Sequence, residues 1–164
     1  MVKVLLILVC FGCCIVAGVV CGSHFKKRSN FYSDLCLFCE ELMLQIKGNL
    51  QTLPNFVSTH KDLFGKEFGA VLEQYEMWLG GKICEKDFLQ FEVASISGNE
   101  MKDVCEFLMN LGNFLTDEEL AKLEISKSKY KSKSKVCDEN KGKFFGTYIK
   151  LFVVAGAMLA IIFL

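Results

Sequence analysis

The chain has 164 residues, of which 52% are hydrophobic, and its 19 basic side chains balance 19 acidic ones. A net charge of zero argues against a nucleic-acid-binding protein, which usually carries a basic excess. One proline argues against a β-sandwich, and His24 and His60 lie too far apart for a zinc-protease motif. No phosphate-binding or nucleophile-elbow motif occurs, so we expect no enzyme, metal or cofactor.

Residues 1–23 have the pattern of a secretory signal peptide. Lys3 supplies the positive charge, and the stretch from Val4 to Val20 carries none. An uncleaved anchor is the alternative, although the apolar run falls short of the ~20 residues of a usual membrane span. We therefore expect an exported protein that loses this segment.

Residues 24–126 form the predicted folded domain, in which apolar residues recur at three- and four-residue steps. The first helix begins at Ser33 or Asp34 and is stopped by Pro54. A second begins near Ser58 and ends at the Gly80-Gly81 pair. The spacing predicts three further helices: 82–94, a segment from Met101 to Leu115, and Thr116 to Leu123. Four to five amphipathic helices thus predict a small all-α fold.

Residues 127–143 are rich in Lys and Ser, which predicts a solvated, extended stalk. The predicted domain has 10 basic and 17 acidic residues, a net charge of −7, whereas the stalk has 7 lysines and 2 acids, a net charge of +5. The zero net charge of the whole chain therefore conceals an acidic domain followed by a basic stalk.

The C-terminal segment, residues 144–164, is apolar, and Lys150 is its one charged residue. A membrane protein normally keeps basic residues beyond its span, so the pattern predicts a signal for a glycolipid (GPI) anchor. Asn140, Ser134 and Ser132 are the candidate attachment residues. A retained C-terminal membrane segment and a secreted form are the alternatives.

Five of the nine cysteines lie outside the predicted signal peptide. The cysteines of exported proteins are usually oxidised to disulfides, so we expect disulfides among Cys36, Cys39, Cys84 and Cys105. A nested pairing, Cys36–Cys105 with Cys39–Cys84, and the crossed pairing both remain open. Each disulfide would contribute ~2–4 kcal/mol to the stability of the folded protein. Cys137 is the odd cysteine and could join two chains into an oligomer.

Two short motifs resemble the saposin-like (saposin B-type) family. Leu35-Cys36-Leu37-Phe38-Cys39-Glu40-Glu41-Leu42 is similar to the family's opening helix, and Gly81-Lys82-Ile83-Cys84 resembles its later cysteine cluster. The chain departs from the family in having four cysteines in the domain instead of six. The resemblance implies a disulfide-stapled helical bundle with the nested pairing.

The resemblance also implies a non-enzymatic protein that interacts with lipids or membranes through amphipathic helices. Its candidate lipid contacts are aromatic residues at helical spacing: Phe64, Phe68, Trp78, Phe88, Phe91 and Phe107. An ordinary core is the other interpretation of these residues. We predict an extracellular protein, held at the cell surface, whose partners are lipids or a membrane surface. The alternative is a cell-surface protein-interaction domain or surface antigen with a protein partner.

Overall fold

The computed structural model describes residues 2–48, 51–112 and 116–163, and every regular element in these ranges is helical. The elements are α1 (Val2–Gly48), α2 (Leu53–His60), a 3₁₀ turn (Lys61–Leu63), α3 (Lys66–Leu79), α4 (Glu85–Leu89), α5 (Gly98–Met109) and α6 (Thr116–Phe163). The predicted all-α fold is confirmed, although α1 and α6 are far longer than the sequence pattern predicts.

The chain divides into two compact units. One unit takes in the described residues up to Lys26 and from Lys135 onward, which belong to α1 and α6. The other, Lys27–Ser134, contains the remainder of the two long helices together with α2 to α5, and we name it the bundle. Within residues 2–48, 51–112 and 116–163, no helix combines the length and the hydropathy that crossing a bilayer requires.

Aromatic side chains fill the centre of the bundle. The α1 residues Leu35, Phe38 and Leu42 lie on one helical face and are buried. The ring of Phe38 packs 5.6 Å from that of Phe56 on α2 and 5.7 Å from that of Phe68 on α3. Aromatic pairs at such distances contribute about 0.5–1.5 kcal/mol each beyond the area they bury. These contacts hold α2 and α3 against α1.

Residues 127–143 lie within α6, so the predicted extended stalk is wrong. Within this segment Tyr130 is 2% exposed and packs against two rings. Its ring stacks on Tyr32 of α1 at 6.3 Å and meets Phe107 of α5 edge-on at 5.6 Å. Lysine is a good helix former, and Tyr130 supplies the packing that a polar helix otherwise lacks.

The boundaries around α2 and α3 differ from the prediction. Pro54 lies in the first turn of α2 instead of stopping α1, because the first turn of a helix has no use for the N–H group that proline lacks. The predicted second helix is divided into α2, the 3₁₀ turn and α3. At its end the Gly80-Gly81 cap is confirmed, with Gly81 at φ 68°.

The predicted disulfides Cys36–Cys105 and Cys39–Cys84 are not found, since no disulfide joins the cysteines that the structure describes. Cys39 is buried, whereas Cys84 is exposed. The Cys105 thiol instead donates to the carbonyl oxygen of Phe88 at 3.4 Å. Burial raises the pKa of Cys39 to about 12 and that of Cys105 to about 11. Both thiols are therefore protonated at neutral pH, and a protonated thiol does not attack another sulfur. Since no disulfide joins the described cysteines, packing stabilises the bundle.

Candidate binding pocket

The aromatic residues predicted to contact lipid lie within the packing of the bundle. Phe64, Phe68 and Phe88 are buried. Trp78, Phe91 and Phe107 are half-buried. The indole of Trp78 stacks on Phe88 at 6.1 Å. Phe64 packs on Phe68 at 5.4 Å, and Phe107 packs on Tyr130 at 5.6 Å. Five of the six rings thus take part in aromatic packing within the bundle, which agrees with the core interpretation of the pattern.

The residues predicted to carry an anchor lie on α6. The Ser134 hydroxyl donates to the carbonyl oxygen of Ser29 on α1, at 3.2 Å. Ser132 is exposed, Asn140 is half-buried, and Cys137 is only 7% exposed. Ser134 therefore joins α6 to α1 within the bundle, and the burial of Cys137 does not favour a link to a second chain.

A charged cluster joins three helices of the bundle. The Glu100 carboxylate on α5 accepts from Arg28 of α1 at 2.6 Å, from Lys133 of α6 at 3.2 Å and from Ser97 at 3.0 Å. Burial alone would raise the pKa of Glu100, but these hydrogen bonds outweigh it and lower the pKa to about 2. The carboxylate is fully engaged by its own chain, so the cluster stabilises the bundle.

A cavity of about 160 Å³ lies at one end of the bundle. It is lined by residues from α1, the start of α2, the segment after α5 and the start of α6: Leu42, Gln45, Ile46, Gln51, Leu53, Leu111, Gly112, Thr116 and Glu119. Sites for cofactors and other small molecules usually measure about 300–1,000 Å³. The cavity therefore has room for a single side chain and not for a nucleotide.

Two oxygen atoms of this pocket have no hydrogen-bond partner among the described residues. They are Oε2 of Glu119 and Oε1 of Gln45, and both are buried. The other carboxylate oxygen of Glu119 accepts from the backbone N–H of Gly112 at 3.2 Å. Gly112 has φ 81°, a conformation that glycine adopts without strain. The turn before α6 thus fixes a carboxylate in the wall of the pocket.

The buried hydroxyl of Tyr75 does not donate to this carboxylate. Tyr75 donates to the carbonyl oxygen of Leu108 at 2.7 Å. Burial is the main cause that raises the pKa of Tyr75, and the negative charge of Glu119 raises it further. The two groups therefore interact electrostatically. An unsatisfied buried acceptor costs about 1–3 kcal/mol. A donor that enters the pocket would recover part of this free energy.

The sequence pattern identifies only part of this pocket. Thr116 to Glu119 has the form of a capping box, which predicts a helix start and correctly places that of α6. In the structure Glu119 accepts from Gly112 and also lines the cavity. Gln45 and Gln51 carry no pattern that predicts a site, because they line the same cavity as Glu119 only after the chain has folded.

Comparison with known proteins identifies the family. A family model described as stage III sporulation protein AB (spore_III_AB) matches residues 3–164. Because the match covers almost the whole chain, the chain belongs to this family. No curated protein and no solved structure matches it significantly.

This membership overturns the saposin-like resemblance and the predictions that followed from it. The prediction of a secreted or GPI-anchored lipid-binding protein is wrong, and so is the alternative of a cell-surface antigen, because the family is one of sporulation proteins in bacterial cells. The Cys36–Leu42 motif is short, and it is explained by a helix that buries Cys39. The match to the family model includes most of both apolar ends, since it covers residues 3–164.

Proposed function

We propose that this member of the stage III sporulation protein AB family is a non-catalytic binding protein of sporulation, and that it holds a side chain of a partner protein in the pocket at the start of α6. The observation that carries the proposal is two buried oxygens, Oε2 of Glu119 and Oε1 of Gln45, which have no hydrogen-bond partner among the described residues and belong to residues that line one cavity. A cavity of about 160 Å³ suits a side chain inserted by a partner.

The other polar contacts of the bundle support a binding role. The Asp34 carboxylate accepts from the backbone N–H of Gly65 at 3.0 Å, and the Ser95 hydroxyl donates to Glu67. Together with the Glu100 cluster, these bonds join helices and loops to one another. These bonds use acidic groups to fix the fold, whereas Glu119 keeps a buried oxygen that has no hydrogen-bond partner among the described residues.

The exposed apolar residues favour a protein as the partner. Leu37 and Leu44 lie seven positions apart on α1, which places them on one helical face, and they are 40% and 61% exposed. The pocket residues Leu42, Gln45 and Ile46 lie on the other side of α1, so the two leucines form a separate exposed apolar surface. Exposed apolar surface of this kind marks sites where another protein binds.

Site-specific photocrosslinking in sporulating cells tests the proposal. A photoreactive residue replaces Gln51, which is exposed at the pocket, and in a control protein it replaces Lys86, which is exposed on α4. We expect one defined protein to be crosslinked from position 51 and not from position 86, and mass spectrometry identifies it. A chain that gives no specific product from position 51 during sporulation would contradict the proposed function.

A further inference from the structure

The geometry of the pocket points to the chemistry of the group that it holds. We propose that the pocket binds a lysine side chain of the partner protein, whose ammonium group donates to Oε2 of Glu119 and Oε1 of Gln45. This inference rests on the proposed function, because it names the contact by which that partner is recognised.

The two unpartnered oxygens, Oε2 of Glu119 and Oε1 of Gln45, can each accept a hydrogen bond from a donor on the ligand. A carboxylate oxygen and an amide oxygen both accept hydrogen bonds, and both are left without a donor among the described residues. An ammonium group offers three N–H donors and no acceptor. Its bond to a carboxylate is charge-assisted and therefore stronger than that of a hydroxyl. Asp117, exposed in the first turn of α6, adds negative charge that attracts a cation.

The remaining walls suit the stem of a lysine. Leu42, Ile46, Leu53 and Leu111 line the same cavity as the side chains of Glu119 and Gln45. The four methylene groups of lysine can lie along such apolar walls while the ammonium reaches a polar end. Arginine fits less well, since its planar guanidinium carries five donors and the pocket offers two open acceptors among the described residues.

Binding of n-butylammonium to the full-length protein, followed by NMR, tests the inference. This probe has the stem and the charge of a lysine side chain, and n-butanol is its uncharged counterpart. We expect n-butylammonium to shift the Gly112 amide and the Gln45 side-chain signals saturably, and n-butanol to have little effect. The variant Glu119→Gln should bind the ammonium at least about tenfold more weakly, whereas Glu118→Gln, which alters the adjacent exposed carboxylate, should bind within about twofold of the original protein.

A second variant keeps the test decisive if Glu119→Gln disturbs folding. Gln45→Met removes the amide oxygen at nearly constant size, and we expect it to weaken n-butylammonium binding several-fold. Equal shifts from n-butanol, no saturable shift, or tighter binding of n-butylguanidinium would each overturn the lysine assignment. These results would leave the photocrosslinking from position 51 unaffected, so failure of the lysine assignment is distinguishable from failure of the proposed function.

Discussion

Two carboxylates of the bundle show how the partners of a residue decide its role. Glu100 accepts from Arg28, Lys133 and Ser97, so its charge is satisfied by the fold. Glu119 is 6% exposed, yet only one of its oxygens has a donor among the described residues, the backbone N–H of Gly112. The first carboxylate stabilises the bundle, and the second keeps one buried oxygen without a donor among the described residues.

The Glu100 cluster makes stability depend on pH. The pKa of Glu100 is lowered from 4.5 to about 2 in the folded protein. Its contribution to the free energy of unfolding is therefore complete above about pH 4.5 and is lost as the pH falls toward 2. We expect Glu100→Gln to lower the free energy of unfolding by about 1–3 kcal/mol at pH 7, because the hydrogen bonds to a charged group are lost. On acidification the variant should lose less further stability than the original protein.

Urea unfolding at pH 7 and pH 3, followed by circular dichroism, measures this difference. Glu106→Gln on the same helix is the matched control, because the ion pair of Glu106 with Lys102 is exposed and such pairs contribute little. The account fails at this residue if the Glu100 variant and the original protein lose the same free energy of unfolding between the two pH values.

The lysine-rich part of α6 shows why composition alone misleads at the scale of an element. Alternating Lys and Ser predict a solvated stalk, but three buried residues, Leu123, Tyr130 and Cys137, recur at seven-residue intervals through the segment. That spacing places them on one face of a helix. With only one buried apolar residue in every two turns, the periodicity is too sparse to predict a helix before the packing partners Tyr32 and Phe107 are known.

Tyr130 should therefore be required for the order of this part of α6. We expect Tyr130→Ala to remove hydrogen-exchange protection from the amides of residues 126–134, since the helix loses both of its aromatic contacts. Ser128→Ala, at an exposed position of the same segment, should keep this protection. Hydrogen exchange with mass spectrometry compares the two variants, and equal protection in both would show that Tyr130 does not hold the segment.

For the molecule as a whole, the sequence predicts the fold class and misdirects the function. Periodic apolar residues give the helical class, and the glycine pair gives the end of α3. The apolar ends instead suggest export. Because exported proteins usually contain disulfides, export leads to the wrong expectation that Cys36 and Cys39 form disulfides with Cys84 and Cys105. The pocket depends on residues from α1, the start of α2, the segment after α5 and the start of α6, so no local pattern could predict it.

The state of the cysteines tests this view of the molecule. In peptide maps of the non-reduced protein we expect Cys84, which is exposed, to react with iodoacetamide in the folded state. Cys39 and Cys105, which are buried, should react only after denaturation, because burial also keeps their thiols protonated. A disulfide-linked peptide that joins Cys39 to Cys84 would contradict the packing of the bundle.

The most direct test of the central claim is the count of heat-resistant spores formed by a strain that lacks its own copy of this gene. The account predicts that the unaltered chain and the Glu118→Gln chain restore spore formation to similar levels, and that an equally abundant Glu119→Gln chain restores at least about tenfold fewer spores. Full restoration by the Glu119→Gln chain would contradict a role for this pocket in sporulation.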